Sequence, residues 1–167
     1  LLFIPFLLFG QTQKEQAVLL INKKKYQSAE VLMHKYVKSN TSDKKAIELL
    51  GDAYGHQKKW DNAIEQYKKL TQLEVNNANY HYKYGGALGM KALSDSKIKA
   101  LGIIGDVKKA FLKSAELDSE HIETRWALVE LYMSLPGIIG GSKKKSLKYA
   151  NQLEVLSKVD GYLAKGY

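Results

Sequence analysis

The stretch KKAIELLGDAYGHQKKWDNAIEQYKKLTQLEVNN, Lys44 to Asn77, is 34 residues long and decides how the rest of the chain is read. Ile47, Leu50, Gly51 and Tyr54 recur at three- and four-residue steps, which puts them on one stripe of a helix. Trp60, Ala63, Tyr67 and Leu70 make a second stripe of the same period, and Gly55 to Lys59 supply the turn between them. The small residues Gly51 and Ala63 allow two antiparallel helices to approach closely, with Tyr54, Trp60 and Tyr67 filling the space around them. The unit is therefore a helical hairpin.

Related patterns run along most of the chain. Tyr26, Ala29, Met33 and Tyr36 fit the second helix of an earlier hairpin whose first helix spans roughly residues 13–22. Tyr84, Gly85 and Leu88 open a third hairpin that closes with Phe111, Ser114 and AELDS. Leu128, Val129 and Tyr132 open a fourth, which closes with Ser146, Ala150, Leu153 and Leu156. The unit at 44–77 resembles a tetratricopeptide (TPR) repeat, with Leu50-Gly51, Tyr54, Trp60, Ala63, Tyr67 and Gln72-Leu73-Glu74 at that family's offsets. The third hairpin departs from it, carrying Ser119 where the family usually has proline.

This resemblance implies an all-α fold, a TPR superhelix of stacked antiparallel helix pairs (an α-solenoid). It also implies a non-catalytic scaffold that binds another protein or peptide. Residues 11–167 read as about four helix pairs plus the start of a fifth in GYLAKGY, with the repeats continuing past Tyr167. Residues 1–10, LLFIPFLLFG, form an uncharged apolar run of signal-peptide length, too short to span a bilayer as a helix. They read as a signal-peptide remnant, which predicts export to a bacterial periplasm and no integral membrane segment in the mature chain. Were the run instead packed on the domain, the chain would be cytoplasmic.

Composition narrows the function classes. The formal charge is +9, yet Arg125 is the single arginine. Arginine's planar fork is what grips phosphate and base edges, so lysine-rich charge points to solvated faces, and no nucleic acid is expected. The absence of cysteine excludes disulfides and thiol chemistry. The four histidines, His34, His56, His81 and His121, fall on separate predicted elements without ligand spacing, so neither metal nor other cofactor is implied. No nucleophile, nucleotide loop or carboxylate pair marks an enzyme.

The tetrapeptide GIIG occurs twice, at 102–105 and at 137–140. Around the first copy, Ile98, Leu101, Ile104, Val107 and Phe111 carry an apolar stripe straight through, which predicts helix interior. The third unit is about ten residues longer than the second, and this reading lengthens both its helices, with a turn near Leu93 to Asp95. The second copy lies between Pro136 and Gly141-Ser142, which predicts a loop with Ser142 as the N-cap of a helix from Lys143. Ile138 and Ile139 would plug an apolar gap there. The segment PGIIGGSKKKSL resembles a loop of bacterial exported TPR proteins.

Within the family the first helix of each pair lines the concave face. Carried onto this chain, that face collects Lys45, Glu48, Asp52 and His56 from the second unit, Asn79, Tyr82 and Gly86 from the third, and Glu123, Trp126 and Glu130 from the fourth. In the NYHYKY run, Tyr80 and Tyr84 are expected to share a buried side and leave Tyr82 outward. Four carboxylates against one lysine make the face acidic on a basic chain. The rival reading is an anion- or polymer-binding surface built from lysine faces and the Gly141-Ser142 helix start, with Ser142, Lys143 and Lys144 as contacts.

Overall fold

The computed structural model describes the backbone of residues 4–167 and the side chains of residues 12–167. The reading of residues 1–10 as a signal-peptide remnant lies outside the described residues at its first three positions and outside the described side chains throughout. The described residues form α1 (Ile4–Asn22), α2 (Tyr26–Ser39), α3 (Lys44–His56), α4 (Trp60–Leu73), α5 (Ala78–Ser94), α6 (Lys97–Leu117), α7 (Ile122–Ser134), a 3₁₀ turn (Gly137–Ile139), α8 (Lys143–Leu156) and α9 (Lys158–Gly166), with no strand among them. Two compact units divide the chain, one ending at Val75 and the other running Asn76–Tyr167.

In the first unit α1 packs on α2, α2 on α3 and α3 on α4. Both hairpin turns are built alike. At the end of α3 the Lys59 N–H donates to the Tyr54 carbonyl and the Lys58 N–H to that of Gly55, with Lys58 at φ 59°. At the end of α1, Lys25 and Lys24 repeat this on Leu20 and Ile21, with Lys24 at φ 57°. These paired bonds satisfy the last carbonyls of each helix while one left-handed residue reverses the chain. The turn at 55–59 is thus tighter than expected. Gly55 stays helical, where an added Cβ would already be in van der Waals contact with Tyr67 and Trp60.

Ala29, Met33, Ile47, Leu50, Ala63 and Leu70 fill the core of this unit, as the two stripes require. A Cβ on Gly51 would stand 2.7 Å from the Tyr67 ring, so the close approach of α3 and α4 depends on its absence. Asp43 caps α3 by accepting from the Ala46 N–H, and Lys14 of α1 reaches the same carboxylate at 2.7 Å. Burial alone would raise its pKa, but the bonds from Lys14 and Ala46 outweigh burial and hold the carboxyl below its ordinary range.

In the second unit α5 packs on α6, α6 on α7, α7 on α8 and α8 on α9. Gly85 repeats the role of Gly51, since a Cβ there would lie 2.8 Å from the Phe111 ring. The extra length of this hairpin does extend both helices, and α5 and α6 run 17 and 21 residues with Asp95 and Ser96 between them. A buried polar link joins α6 to α7: the Ser114 hydroxyl meets Thr124 Oγ1 at 2.7 Å and the Ala78 carbonyl at 2.8 Å. The Arg125 guanidinium donates to the carbonyls of Ala115, Asp118 and His121, closing the C-terminal end of α6. Burial lowers its pKa.

The first GIIG lies inside α6, as its stripe predicts, but the stripe is buried only toward the C-terminal end of that helix. Val107 and Phe111 are in the core, Ile104 is half-buried, and Ile98 and Leu101 are exposed, while the contacts that tie α6 to α7 lie at Lys108, Ser114 and Ala115. The second copy is the 3₁₀ turn, and Ser142 caps α8 by accepting from the Lys145 N–H. Gly140 sits at φ 103°, a conformation that side chains rarely adopt. A Cβ on Gly141 would overlap the Leu135 carbonyl. Ile138 plugs nothing: it is almost fully exposed at the apex of the turn, and Ile139 alone is half-buried.

Candidate functional site

The expected face residues fall into two sets, one on each unit. In the first unit Lys45 is exposed and its ammonium lies 3.1 Å from Glu48. Glu48 is buried rather than open to a ligand, because Leu49, Leu50 and Ile47 on either side of it pull that turn of α3 inward. Asp52 accepts the Tyr67 hydroxyl at 2.7 Å, and burial together with this carboxylate pushes the phenol far above its ordinary range. Asp52 therefore ties α3 to α4. His56, at the last position of α3, stacks on Tyr26 of α2 with ring centroids 4.5 Å apart. That ring pair is a contact between elements that spacing within one helix does not reveal.

In the second unit the first helices of successive pairs bring aromatic rings and carboxylates together. Tyr82 of α5 is not outward as expected. It is half-buried, with its ring 5.2 Å from that of His121 and 6.1 Å from that of Phe111. His121 caps α7 by accepting from the Thr124 N–H, which fixes the imidazole beside the phenol. Burial raises the Tyr82 pKa, and the negative charges of Glu123 and Glu130 on α7 raise it further. Glu130 is exposed, and Glu123, also open to solvent along most of its side chain, reaches His121 at 3.3 Å.

Trp126, one turn along α7 from Glu123, is half-buried. Its indole N–H donates to Asp160 of α9 at 2.9 Å. Hydrogen bonds from Ser157 and Trp126 hold the Asp160 carboxyl below its ordinary range. Asp160 was not among the expected residues, and its place on the terminal helix gave no periodic signal. Asn79 and Gly86 of α5 are half-buried, and nothing lies within 4 Å of where a Gly86 Cβ would be. Tyr82, Glu123, Trp126 and Glu130 thus offer two aromatic faces flanked by two solvent-facing carboxylates, an arrangement suited to cationic and aromatic side chains.

At the other candidate, Lys143 and Lys144 are exposed, while the Ser142 hydroxyl is engaged in capping its own helix. That hydroxyl is spent within the fold.

A TPR repeat family profile matches residues 51–91, the span from Gly51 through most of α5. A thermophilic TPR protein of Thermus thermophilus superposes with a TM-score of 0.74 at 15% identity, covering 94% of this chain and 83% of that one. The fold is a TPR fold. MamA gives a TM-score of 0.73 at 18% identity, over 90% of this chain and 80% of that one. A type III secretion translocator chaperone of Yersinia enterocolitica, SycD, gives 0.54 at 14% identity, over 89% and 83%. No curated protein matches at the level of sequence. No described helix here is long and apolar enough to cross a membrane.

Proposed function

We propose that this chain is a non-catalytic TPR scaffold, acting outside the cytoplasm, that binds a protein partner through an extended basic or aromatic segment. The observation that carries the reading is the cluster on the second unit, where Tyr82 and Trp126 stand among Glu123, Glu130 and Asp160. Carboxylates beside aromatic faces favour lysine and arginine side chains, which gain charge attraction and ring contact together. The TPR fold supports a binding role, and the apolar run at 1–10 with the PGIIGGS segment supports export.

An array of short peptides probed with the full chain tests the binding. Lys- and Arg-containing peptides should be retained over Asp- and Glu-containing ones. The charge reversals Glu123→Lys and Glu130→Lys should remove that preference, each by about tenfold. An unchanged preference in both variants would overturn the assignment of this face. Fractionation of cells producing the natural full-length protein tests export, and recovery in the cytoplasm alone would refute it.

A further inference from the structure

Arg125 is the single arginine of the chain and, at 3% exposed, the one buried cation among the described residues. A guanidinium has five N–H donors. One terminal nitrogen donates to the Asp118 and His121 carbonyls at 2.7 and 3.2 Å, and the other to the Ala115 carbonyl at 3.2 Å. That leaves one hydrogen on the second terminal nitrogen and the Nε–H, and the buried Nε has no acceptor among the described residues. All three partners are neutral carbonyls, and the carboxylate of Asp118 is itself turned to the Glu120 N–H at 2.8 Å. A buried charged group with an unpaired donor is costly, so an anion that supplies the acceptor gains binding energy here.

The same arginine lines a cleft of about 350 Å³ between α6 and α8. Leu112 and Ala115 of α6 give it an apolar wall, and Lys148, Tyr149 and Gln152 of α8 give it a polar one. Arg125, the one lining residue from α7, is buried along with Tyr149, whereas Lys148 and Glu116 are exposed at the rim. The Lys148 ammonium stands over the Tyr149 ring, 5.6 Å from its centre, and Glu116 is already paired with Lys113 at 3.1 Å. The cleft thus carries two cations, while its carboxylate is neutralised from outside. The face proposed above for a basic segment is built from α5, α7 and α9, so this cleft is a separate place with the opposite charge preference.

We propose that the cleft between α6 and α8 binds a carboxylate carried on a short aliphatic stem, with one oxygen on the free N–H groups of Arg125, the other facing the Lys148 ammonium, and the stem against Leu112 and Ala115. A flat two-oxygen group suits the planar guanidinium, and a hydrogen bond between two charged partners is stronger than the carbonyl bonds Arg125 already makes. Phosphate fits less well. Its second negative charge meets Glu116 at the rim, and it has no stem to cover the apolar wall. A small free acid and a glutamate side chain of a protein partner offer the same chemistry, and the test separates these two sources.

A single arginine gives the chain one arginine Nε–H resonance, and burial protects that proton from exchange, so magnetic resonance of the isotopically labelled full chain reads the site directly. Sodium hexanoate should move this resonance saturably, with a Kd on the order of millimolar, against sodium chloride at matched ionic strength. Acetate, which lacks the stem, should bind several-fold more weakly, and phosphate should not saturate over the same range. Arg125 is left in place because it also closes the end of α6. Lys148→Glu puts a like charge at the rim and should weaken hexanoate binding by at least about tenfold, while Lys144→Glu, on the same helix but outside the lining, should leave it unchanged. A capped peptide with one glutamate among alanines that binds more tightly than hexanoate assigns the carboxylate to a protein partner, and the reverse order assigns it to a small acid; either supports the cleft. No saturable shift with hexanoate or the peptide, an equal response to phosphate, or a Lys148→Glu variant that binds like wild type would overturn the proposal.

Discussion

The two GIIG copies have the same four residues and opposite backbones. At 102–105 the glycines are inside α6, with open space where their side chains would be, whereas at 137–140 they form a 3₁₀ turn that ends with a left-handed glycine. The flanks make the difference. Ahead of the first copy Lys97 to Leu101 can continue a helix, while Pro136 ahead of the second ends one, and its carbonyl accepts from the N–H groups of both Ile139 and Gly141. A glycine motif therefore carries no structure of its own. The neighbours decide whether its missing side chain is a cost, as in α6, or a requirement, as in the turn.

Substitution at each kind of glycine tests this contrast. The largest effect is expected for Gly141→Ala, whose Cβ would overlap the Leu135 carbonyl, so the turn must rebuild at a cost above about 3 kcal/mol. Chemical denaturation of the variant measures it, and a loss below about 1 kcal/mol, roughly the median for point mutants, would refute the tight turn. Next comes Gly51→Leu, which drives a side chain into the Tyr67 ring and should cost about 1–3 kcal/mol. A neutral result there would mean that α3 and α4 do not meet through Gly51.

Gly140→Ala should cost roughly 1–2 kcal/mol through its backbone angle alone, because nothing but the end of the Lys108 side chain is near. The smallest effect has the opposite sign. Gly102→Ala and Gly105→Ala should each stabilise by up to about 1 kcal/mol, since both positions are helical and open. The denaturation midpoints of the Gly102 and Gly140 variants should therefore move in opposite directions. Movement in the same direction would break the comparison.

The helix pairs were legible because their signal is local. Ile47, Leu50, Gly51 and Tyr54 lie within two turns of one helix, and all four are buried at the interface that their spacing predicts. The lengthened third hairpin was legible for a related reason, since extra residues that keep helical spacing have no cheaper conformation than more helix. The candidate face was less so. Spacing marks which side of a helix is left over after the core is chosen, but not what another element places on that side. Tyr82 was expected outward and is half-buried, because His121 is held beside it by its capping bond to Thr124. Glu48 was expected in the groove and is buried between core residues. Asp160 was missed, although it holds the Trp126 indole.

By itself the sequence determined the all-α class, the pairing of helices, the close helix approach at Gly51 and the opposite conformations of the two glycine repeats. Each of these follows from helical period, proline and glycine chemistry, or the small size of one side chain, which are properties of residues close together in the chain. Only the tertiary structure decided which parts of the apolar stripes are covered. Ile98 and Leu101 have the same spacing as Val107 and Phe111, yet the first two are exposed and the last two are core. Burial requires a neighbour, and the contacts that tie α6 to α7, at Lys108, Ser114 and Ala115, lie toward the C-terminal end of α6. Which part of α6 is covered is thus fixed by where its neighbours pack, which no single stripe records.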